Sequence, residues 1–170
     1  ARALLYDRAV AEELHRAWVT DIGAADLLAG QPPASLFSDG PIWDLTRRIL
    51  EAPPVPTNPH PAVPRDLRMA FALSNLNGIN YSLGYANVPG GFDTTVFSDW
   101  IIFRLGEDAP GDPPLPDVWR SIARAGIASG AFPFAFPTVE LERRLADYQR
   151  SEIYASTGTR RFTYVDGGLF

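Results

Sequence analysis

Three consecutive residues, Asp166, Gly167 and Gly168, place a carboxylate directly before two glycines, a combination that can form a catalytic site. They follow the strand-like run Arg161 to Val165, so the carboxylate is expected at the carboxyl end of a strand, where α/β sheets place reactive groups. The two glycines permit a positive φ and a close approach of backbone or substrate. Because Asp-Gly is a common turn sequence, the motif by itself is more typical of a turn than of a site.

The two histidines, His15 and His60, do not indicate a catalytic or metal site. His15 falls within a predicted helix and His60 within a Pro-rich segment, which argues against a Ser-His-Asp triad or a His-ligated metal. Several acids lie in or beside predicted loops, where a glycosidase pair needs no motif but solvated carboxylates are commoner. These acids are Asp93, Asp99, Glu107, Asp108 and Asp112.

The composition excludes several classes of protein. A chain of 170 residues is long enough for one domain with a sizeable core. Its net charge is −5 and all 15 basic residues are scattered arginines, so there is no basic stripe for nucleic-acid phosphates. With no cysteine, a disulfide framework, a thiolate nucleophile and Cys-ligated zinc are excluded. No apolar run approaches the roughly 20 residues that span a bilayer.

Apolar residues at helical spacing predict several helices. They cover Leu4 to Val19, Pro41 to Glu51 and Asp117 to Ser129, with a last helix that Thr138 caps and that carries Leu141, Leu145 and Tyr148. A Pro-rich stretch at about 52–64 is expected to be a linker or surface loop. The run Ala131 to Pro137 cannot be helical, because proline lacks the amide donor and clashes with the preceding turn.

Strands are predicted where apolar and small residues alternate. They are Leu67 to Ser74, Ile101 to Leu105 and Arg161 to Val165, with Asn75 to Gly78 as a turn and Tyr81 to Tyr85 as a returning hairpin arm. Helices mixed with separated strands predict a layered α/β domain.

The order of two motifs resembles the patatin-like phospholipase family. Ala128 to Pro137 fits the pattern Ala-Ser-x-Ala-x-Pro-x-x-Phe-Pro at the end of a helix, and Asp166-Gly167-Gly168 follows about thirty residues on. The segments Leu73 to Tyr81 and Trp18 to Ile22 are also similar to parts of larger bacterial members. The resemblance covers most of the chain and is most specific in the first two motifs.

This resemblance implies a layered α/β/α sandwich, of which residues 1–170 would be a partial catalytic domain. Such enzymes use a Ser–Asp dyad, and the resemblance assigns the carboxylate to Asp166, with Gly167 and Gly168 supporting the motif. The chain has no Gly-x-Ser-x-Gly nucleophile elbow and no glycine-rich oxyanion loop. Both are therefore expected upstream of Ala1, in a longer polypeptide, and Ser129 matches a structural serine of the family.

The implied function is that of a lipid acyl hydrolase, with a phospholipid or other fatty-acyl ester as substrate. An ordinary Asp has a pKa of about 3.9, so transition-state stabilisation and partial desolvation must assist it as a base. Phe132 and Phe136 are expected either to line an acyl-chain channel or to pack in the core. No cofactor or metal is required, and the expected location is the cytoplasm or a membrane surface.

One alternative function is left open by the sequence. The chain could belong to a non-catalytic relative, a module that keeps the fold and binds lipid or a protein partner. In either case this chain alone is expected to hydrolyse nothing, since the nucleophile would lie outside it.

Overall fold

The computed structural model of the protein describes residues 15–30, 35–51, 66–84, 91–104, 116–149, 151, 153 and 157–169. The Pro-rich stretch at 52–64 and most of the predicted first helix lie outside these residues. The described helices are a π-helical turn Ala17–Asp21, α1 (Ala24–Leu28), α2 (Gly40–Glu51), α3 (Pro116–Ser129) and a 3-10 turn Leu145–Asp147. The described strands are β1 (Arg68–Gly84), β2 (Gly91–Arg104), β3 (Val139–Arg144) and β4 (Thr159–Asp166).

The four strands form one sheet in the order β2-β1-β4-β3, and each neighbouring pair is antiparallel. The protein thus combines α-helices with an antiparallel sheet. Asp166 ends β4, as expected for the carboxyl end of a strand, but β4 runs opposite to both of its neighbours, so the carboxyl ends of these strands do not share one edge. Any reactive position of Asp166 must follow from its local contacts and not from the sheet class.

Helix α3 covers one face of the sheet, and α2 packs on α3. The predicted boundaries of α2 and α3 are confirmed within one residue. The core between α3 and the sheet has two buried clusters. In the smaller cluster, Trp119 and Ile122 of α3 pack against side chains of β1 and β2. The members of the larger cluster come from the end of α3, the strands and the two segments that flank β3; they are Leu73, Ile79, Ala128, Ala131, Val139, Leu141, Leu145, Tyr148, Phe162 and Tyr164.

Strand β1 is longer than predicted, because the expected turn at Asn75 to Gly78 is a bulge within it. The pairing with β2 shifts between Ser74 and Ile79, so the bulge lies opposite the single residue Phe97. Gly78 has a φ of 67°, and a Cβ there would lie 2.4 Å from the methyl carbon of Thr95. The predicted turn and the predicted returning arm at Tyr81 to Tyr85 are therefore wrong: the chain continues through the bulge as the same strand, and β2 is the returning arm.

Side chains in the bulge replace ladder hydrogen bonds. The Asn75 Oδ1 atom accepts from the Asn77 amide at 3.0 Å, and the Asn77 Oδ1 atom accepts from the Thr163 amide of β4 at 2.8 Å. These side-chain bonds allow β1 to bend at the bulge and remain joined to β4.

The predicted last helix is wrong, since residues Val139–Arg144 form strand β3. Buried and exposed residues alternate strictly along β3, which is the period of a strand packed on one face. Pairing with β4 over its whole length supplies the hydrogen bonds that a helix would have made internally. Arg144, the last residue of β3, is paired with Asp147 of the following 3-10 turn at 3.3 Å.

Candidate functional site

Asp166 is the last residue of β4 and is half-buried. Its amide donates a 3.0 Å hydrogen bond to the carbonyl oxygen of Ala131, the first residue after the α3 terminus and its Gly130 turn. Across the sheet it lies opposite Leu73 of β1. The structure therefore brings together the two motifs, Ala128 to Pro137 and Asp166 to Gly168, that lie about thirty residues apart in sequence.

A tight turn fixes the Asp166 carboxylate. Its Oδ1 atom accepts from the Gly168 amide at 2.8 Å, and its carbonyl oxygen accepts from the Leu169 amide at 3.3 Å. Hydrogen bonds of this kind, from an Asp side chain to the amide two residues on, stabilise turns. The carboxylate is thus held at one oxygen by its own backbone, and it forms no ion pair with any other described residue.

Glycine is required at position 167 because the backbone of β1 approaches it closely, and not because its φ is positive. A Cβ at this position would lie 2.2 Å from the Ala72 carbonyl carbon and 2.3 Å from its oxygen. Neither Gly167 nor Gly168 is among the described residues with positive φ. The expectation of a close backbone approach is confirmed, and its partner is strand β1 rather than a substrate.

Ser74 is a residue of this site that the sequence did not single out. Its side chain is fully buried, and its Oγ atom donates to the Asp166 carbonyl oxygen at 2.7 Å. Ser74 lies within the segment Leu73 to Tyr81 that carries part of the family resemblance. No local pattern distinguishes a strand serine with this role from any other.

The aromatic residues of the loop after α3 have different surroundings. Phe136 is half-buried and packs on Phe37 with ring centroids 5.7 Å apart, whereas Phe132 is 60% exposed. Phe134, which belongs to the same aromatic run, is 87% exposed and has a φ of 68°. Phe136 therefore contributes to the core, and Phe132 projects from the same loop.

A groove of about 1160 Å³ lies between β2 and β3, away from Asp166. At its floor, the Asp99 Oδ2 atom accepts from the Tyr148 hydroxyl at 2.7 Å and from the Tyr164 hydroxyl at 2.8 Å. Arg143 adds an ion pair to the same oxygen at 3.3 Å, and both charged side chains are 8% exposed. Asp99 was expected among solvated loop acids, and this is wrong because it is buried within β2.

This cluster joins the two edge strands of the sheet. Arg143 of β3 donates to the Trp100 carbonyl oxygen of β2 at 3.1 Å as well as to Asp99. Burial, and next the negative charge of Asp99, raise the pKa of Tyr148 and of Tyr164 above the ordinary tyrosine value. Because the charges and hydroxyls satisfy one another, the cluster favours a structural role over acid–base chemistry.

The other candidate residues do not assemble with Asp166. His15 is exposed, and Asp93 is exposed in β2, where its Oδ1 atom accepts from the Ser82 hydroxyl at 2.6 Å. His60 and the acids Glu107, Asp108 and Asp112 lie outside the described residues. Among the residues that the structure describes, no group of three or more His, Asp or Glu side chains is placed to hold a metal ion.

No described helix has the length and apolar character needed to cross a membrane. Comparison with known proteins adds no relative: the chain matches no family model, no curated protein and no solved structure.

Proposed function

We propose that this chain supplies the carboxylate of a Ser–Asp dyad in a lipid acyl hydrolase of the patatin-like type. The observation that carries the proposal is the turn Asp166 to Gly168, which fixes the carboxylate of the half-buried Asp166 while the Asp166 amide binds the loop Ala128 to Pro137. Chance turns of the sequence Asp-Gly are common, but this one has backbone contacts to both β1 and the α3 terminus.

The contacts of Asp166 suit a dyad. Its main chain is held by Ala131, Ser74 and its own turn, so the carboxylate is positioned with little freedom to move. Within the described residues, only the Gly168 amide donates to the carboxylate, and it does so at Oδ1. The Oδ2 atom is therefore the oxygen that would accept the proton of an attacking serine.

The reaction follows from these roles. Asp166 accepts the proton of the serine hydroxyl as the serine oxygen attacks the ester carbonyl carbon. The tetrahedral intermediate collapses, the acyl–serine bond is retained, and the alcohol leaves with the proton from Asp166. A water molecule then attacks the acyl group, Asp166 again accepting its proton, and the fatty acid is released as the proton returns to serine.

The nucleophile and the oxyanion donors belong, in this proposal, to a segment outside the chain. The order of motifs in the family implies that they precede it. The sheet face opposite α3 is consistent with a second covering layer, since Trp100 is 59% exposed and Ile102 54% exposed on it. The described sheet and α3 would then form part of an α/β/α sandwich.

The test is Asp166→Asn in the full-length protein, assayed on a soluble fatty-acyl ester. Asparagine keeps the size and the acceptor for Gly168 but cannot accept the serine proton, so kcat should fall at least about 100-fold. Asp93→Asn is the matched control, since it removes an exposed carboxylate of β2 and should leave turnover unchanged. Turnover of Asp166→Asn close to wild type would refute the dyad and favour a non-catalytic module.

A second variant tests whether Ser129, at the end of α3, takes part in the reaction. Ser129 is half-buried at the end of α3 and is assigned no role in the chemistry. Ser129→Ala should therefore retain most of the turnover, whereas complete loss with the fold intact would point to Ser129 as the nucleophile.

A further inference from the structure

Three exposed apolar side chains lie on two hydrogen-bonded segments next to the candidate site. Phe134 is 87% exposed, Phe132 60% and Leu36 57%, and the Leu36 amide donates to the Phe134 carbonyl oxygen at 2.7 Å. We call Leu36, Phe132 and Phe134 the apolar knob. Single exposed apolar residues are normal, but three on two joined segments indicate a contact surface.

The backbone holds Phe134 in a conformation that bulky residues rarely adopt. Its φ of 68° lies in the left-handed region, where phenylalanine is an outlier. The Phe37 amide donates to the Ala135 carbonyl oxygen at 2.7 Å, and the Ala135 amide donates to the Phe132 carbonyl oxygen at 3.1 Å. Strained residues that are fixed in this way cluster at functional sites, and here the strain directs an aromatic ring into solvent.

The segments that carry the knob contain no charged residue. Residues 35–38 and 130–137 comprise only Ser, Leu, Phe, Gly, Ala and Pro, although the chain as a whole has a net charge of −5. A projecting aromatic and aliphatic surface without charge suits the boundary between lipid headgroups and acyl chains. A protein partner would be expected to meet charged or hydrogen-bonding groups at the rim, and these segments supply only serine hydroxyls.

The knob is connected to Asp166 by one hydrogen bond. The Ala131 carbonyl oxygen, which accepts from the Asp166 amide at 3.0 Å, immediately precedes Phe132 in the chain. We infer that the apolar knob inserts into the surface of a lipid bilayer and so positions the carboxylate at the interface where its ester substrate lies. The inference rests on the proposed function, since it takes lipid as the substrate class.

The experiment measures co-sedimentation of the full-length protein with phosphatidylcholine vesicles. The variant combines Phe132→Ser with Phe134→Asn, because asparagine tolerates a positive φ and the substitution removes the ring without adding strain. Vesicle affinity should fall at least tenfold, while the circular dichroism spectrum and melting temperature stay within the range of wild type. The control Val19→Ser removes an apolar side chain that is 69% exposed in the π-helical turn Ala17–Asp21, and it should leave vesicle affinity unchanged.

Each alternative has its own outcome. Equal vesicle binding by wild type and the combined variant would overturn the inference, as would an equal loss in Val19→Ser. Another outcome is that the wild-type protein does not bind vesicles but forms dimers in light scattering, whereas the combined variant is monomeric. That result would assign the knob to self-association and would also overturn the inference. Binding that strengthens on anionic vesicles and disappears in high salt would contradict an uncharged contact.

The experiments distinguish a failure of the proposed dyad from a failure of the proposed membrane contact. Asp166→Asn should bind phosphatidylcholine vesicles as wild type does, because the knob is intact, while its turnover is lost. If Asp166→Asn keeps full turnover, the dyad is refuted whatever the vesicles show. If turnover is lost and vesicle binding never depends on Phe132 and Phe134, the dyad stands and the knob is refuted.

Discussion

The Ser74 hydroxyl donates a 2.7 Å hydrogen bond to the main-chain carbonyl oxygen of Asp166. Ser74 lies opposite Val165 in the register of β1 and β4, so its side chain reaches diagonally to the next residue. The same carbonyl oxygen accepts from the Leu169 amide. Ser74 therefore fixes the main-chain peptide group of Asp166, the residue that carries the candidate catalytic carboxylate. It is a positioning residue rather than a catalytic one.

Ser74→Ala should weaken both the fold and the site. The substitution removes a buried hydrogen bond, which lowers the free energy of unfolding by about 1 to 2 kcal/mol. Since Asp166 is then held less firmly, kcat should fall about tenfold or more with little change in KM. Denaturant unfolding and steady-state kinetics measure the two effects.

Two comparisons interpret that result. Ser82→Ala removes an exposed hydroxyl that donates to Asp93, and it should change neither quantity appreciably. If Ser74→Ala lowers stability but leaves kcat as in wild type, the serine serves the fold alone and has no positioning role.

Gly167→Ala should be more damaging than its small size suggests. A Cβ there would lie 2.2 to 2.6 Å from backbone and side-chain atoms of Ala72, so β1 or the turn must shift. Overpacking of this kind costs about 1 to 3 kcal/mol in the free energy of unfolding. Gly84→Ala, where a Cβ would meet nothing within 4 Å, is the control. Wild-type stability of Gly167→Ala would show that Ala72 does not confine the turn.

Much of the helical structure and the end of β4 could be predicted from local sequence. Helices α2 and α3 have one apolar face each and are ended by glycine or proline, so local preference and tertiary packing agree. The turn that begins at Asp166 could be predicted for the same reason, since its Asp-Gly-Gly motif is local as well. Agreement between levels is the reason that these predictions succeeded.

Strand β3 shows why the rest could not be predicted. Leu141, Leu145 and Tyr148 recur at three- and four-residue steps, which imitates a helix, yet Val139 and Leu141 also alternate as in a strand. Pairing with β4 decides between the two patterns, and that partner lies in a distant part of the sequence. The Ser74 contact with Asp166 spans 92 residues and is likewise invisible to a local pattern.

Asp99→Asn should destabilise the protein strongly although it lies away from the candidate site. It would leave the buried Arg143 guanidinium without its counter-ion and weaken the bonds from both tyrosine hydroxyls. Removing one partner of a buried ion pair costs about 3 to 5 kcal/mol in the free energy of unfolding. The exposed Asp93→Asn should stay within about 0.5 kcal/mol of wild type. Equal, small effects in thermal or denaturant melts would mean that the cluster does not join β2 to β3.

The tyrosines of this cluster should make the fold sensitive to alkaline pH. Burial and the charge of Asp99 raise the pKa of Tyr148 and of Tyr164 in the folded state above the ordinary value of 10.0. Above about pH 10 the unfolded chain therefore releases protons that the folded protein retains, and stability falls as pH rises. Each tyrosine should contribute a slope of about 1.4 kcal/mol per pH unit.

Tyr148→Phe tests this directly, because it removes one titrating group and leaves its ring in place. The variant loses a hydrogen bond to Asp99 and is less stable at pH 8, but the slope of its unfolding free energy between pH 10 and 11 should be smaller than in wild type by about a third to a half, since one of the three tyrosines with a raised pKa no longer titrates. Tyr81→Phe, at a partly buried tyrosine whose pKa is also raised, should reduce the slope less. Urea unfolding at each pH provides the measurement, and an unchanged slope in Tyr148→Phe would mean that its hydroxyl ionises equally readily in the folded and unfolded states.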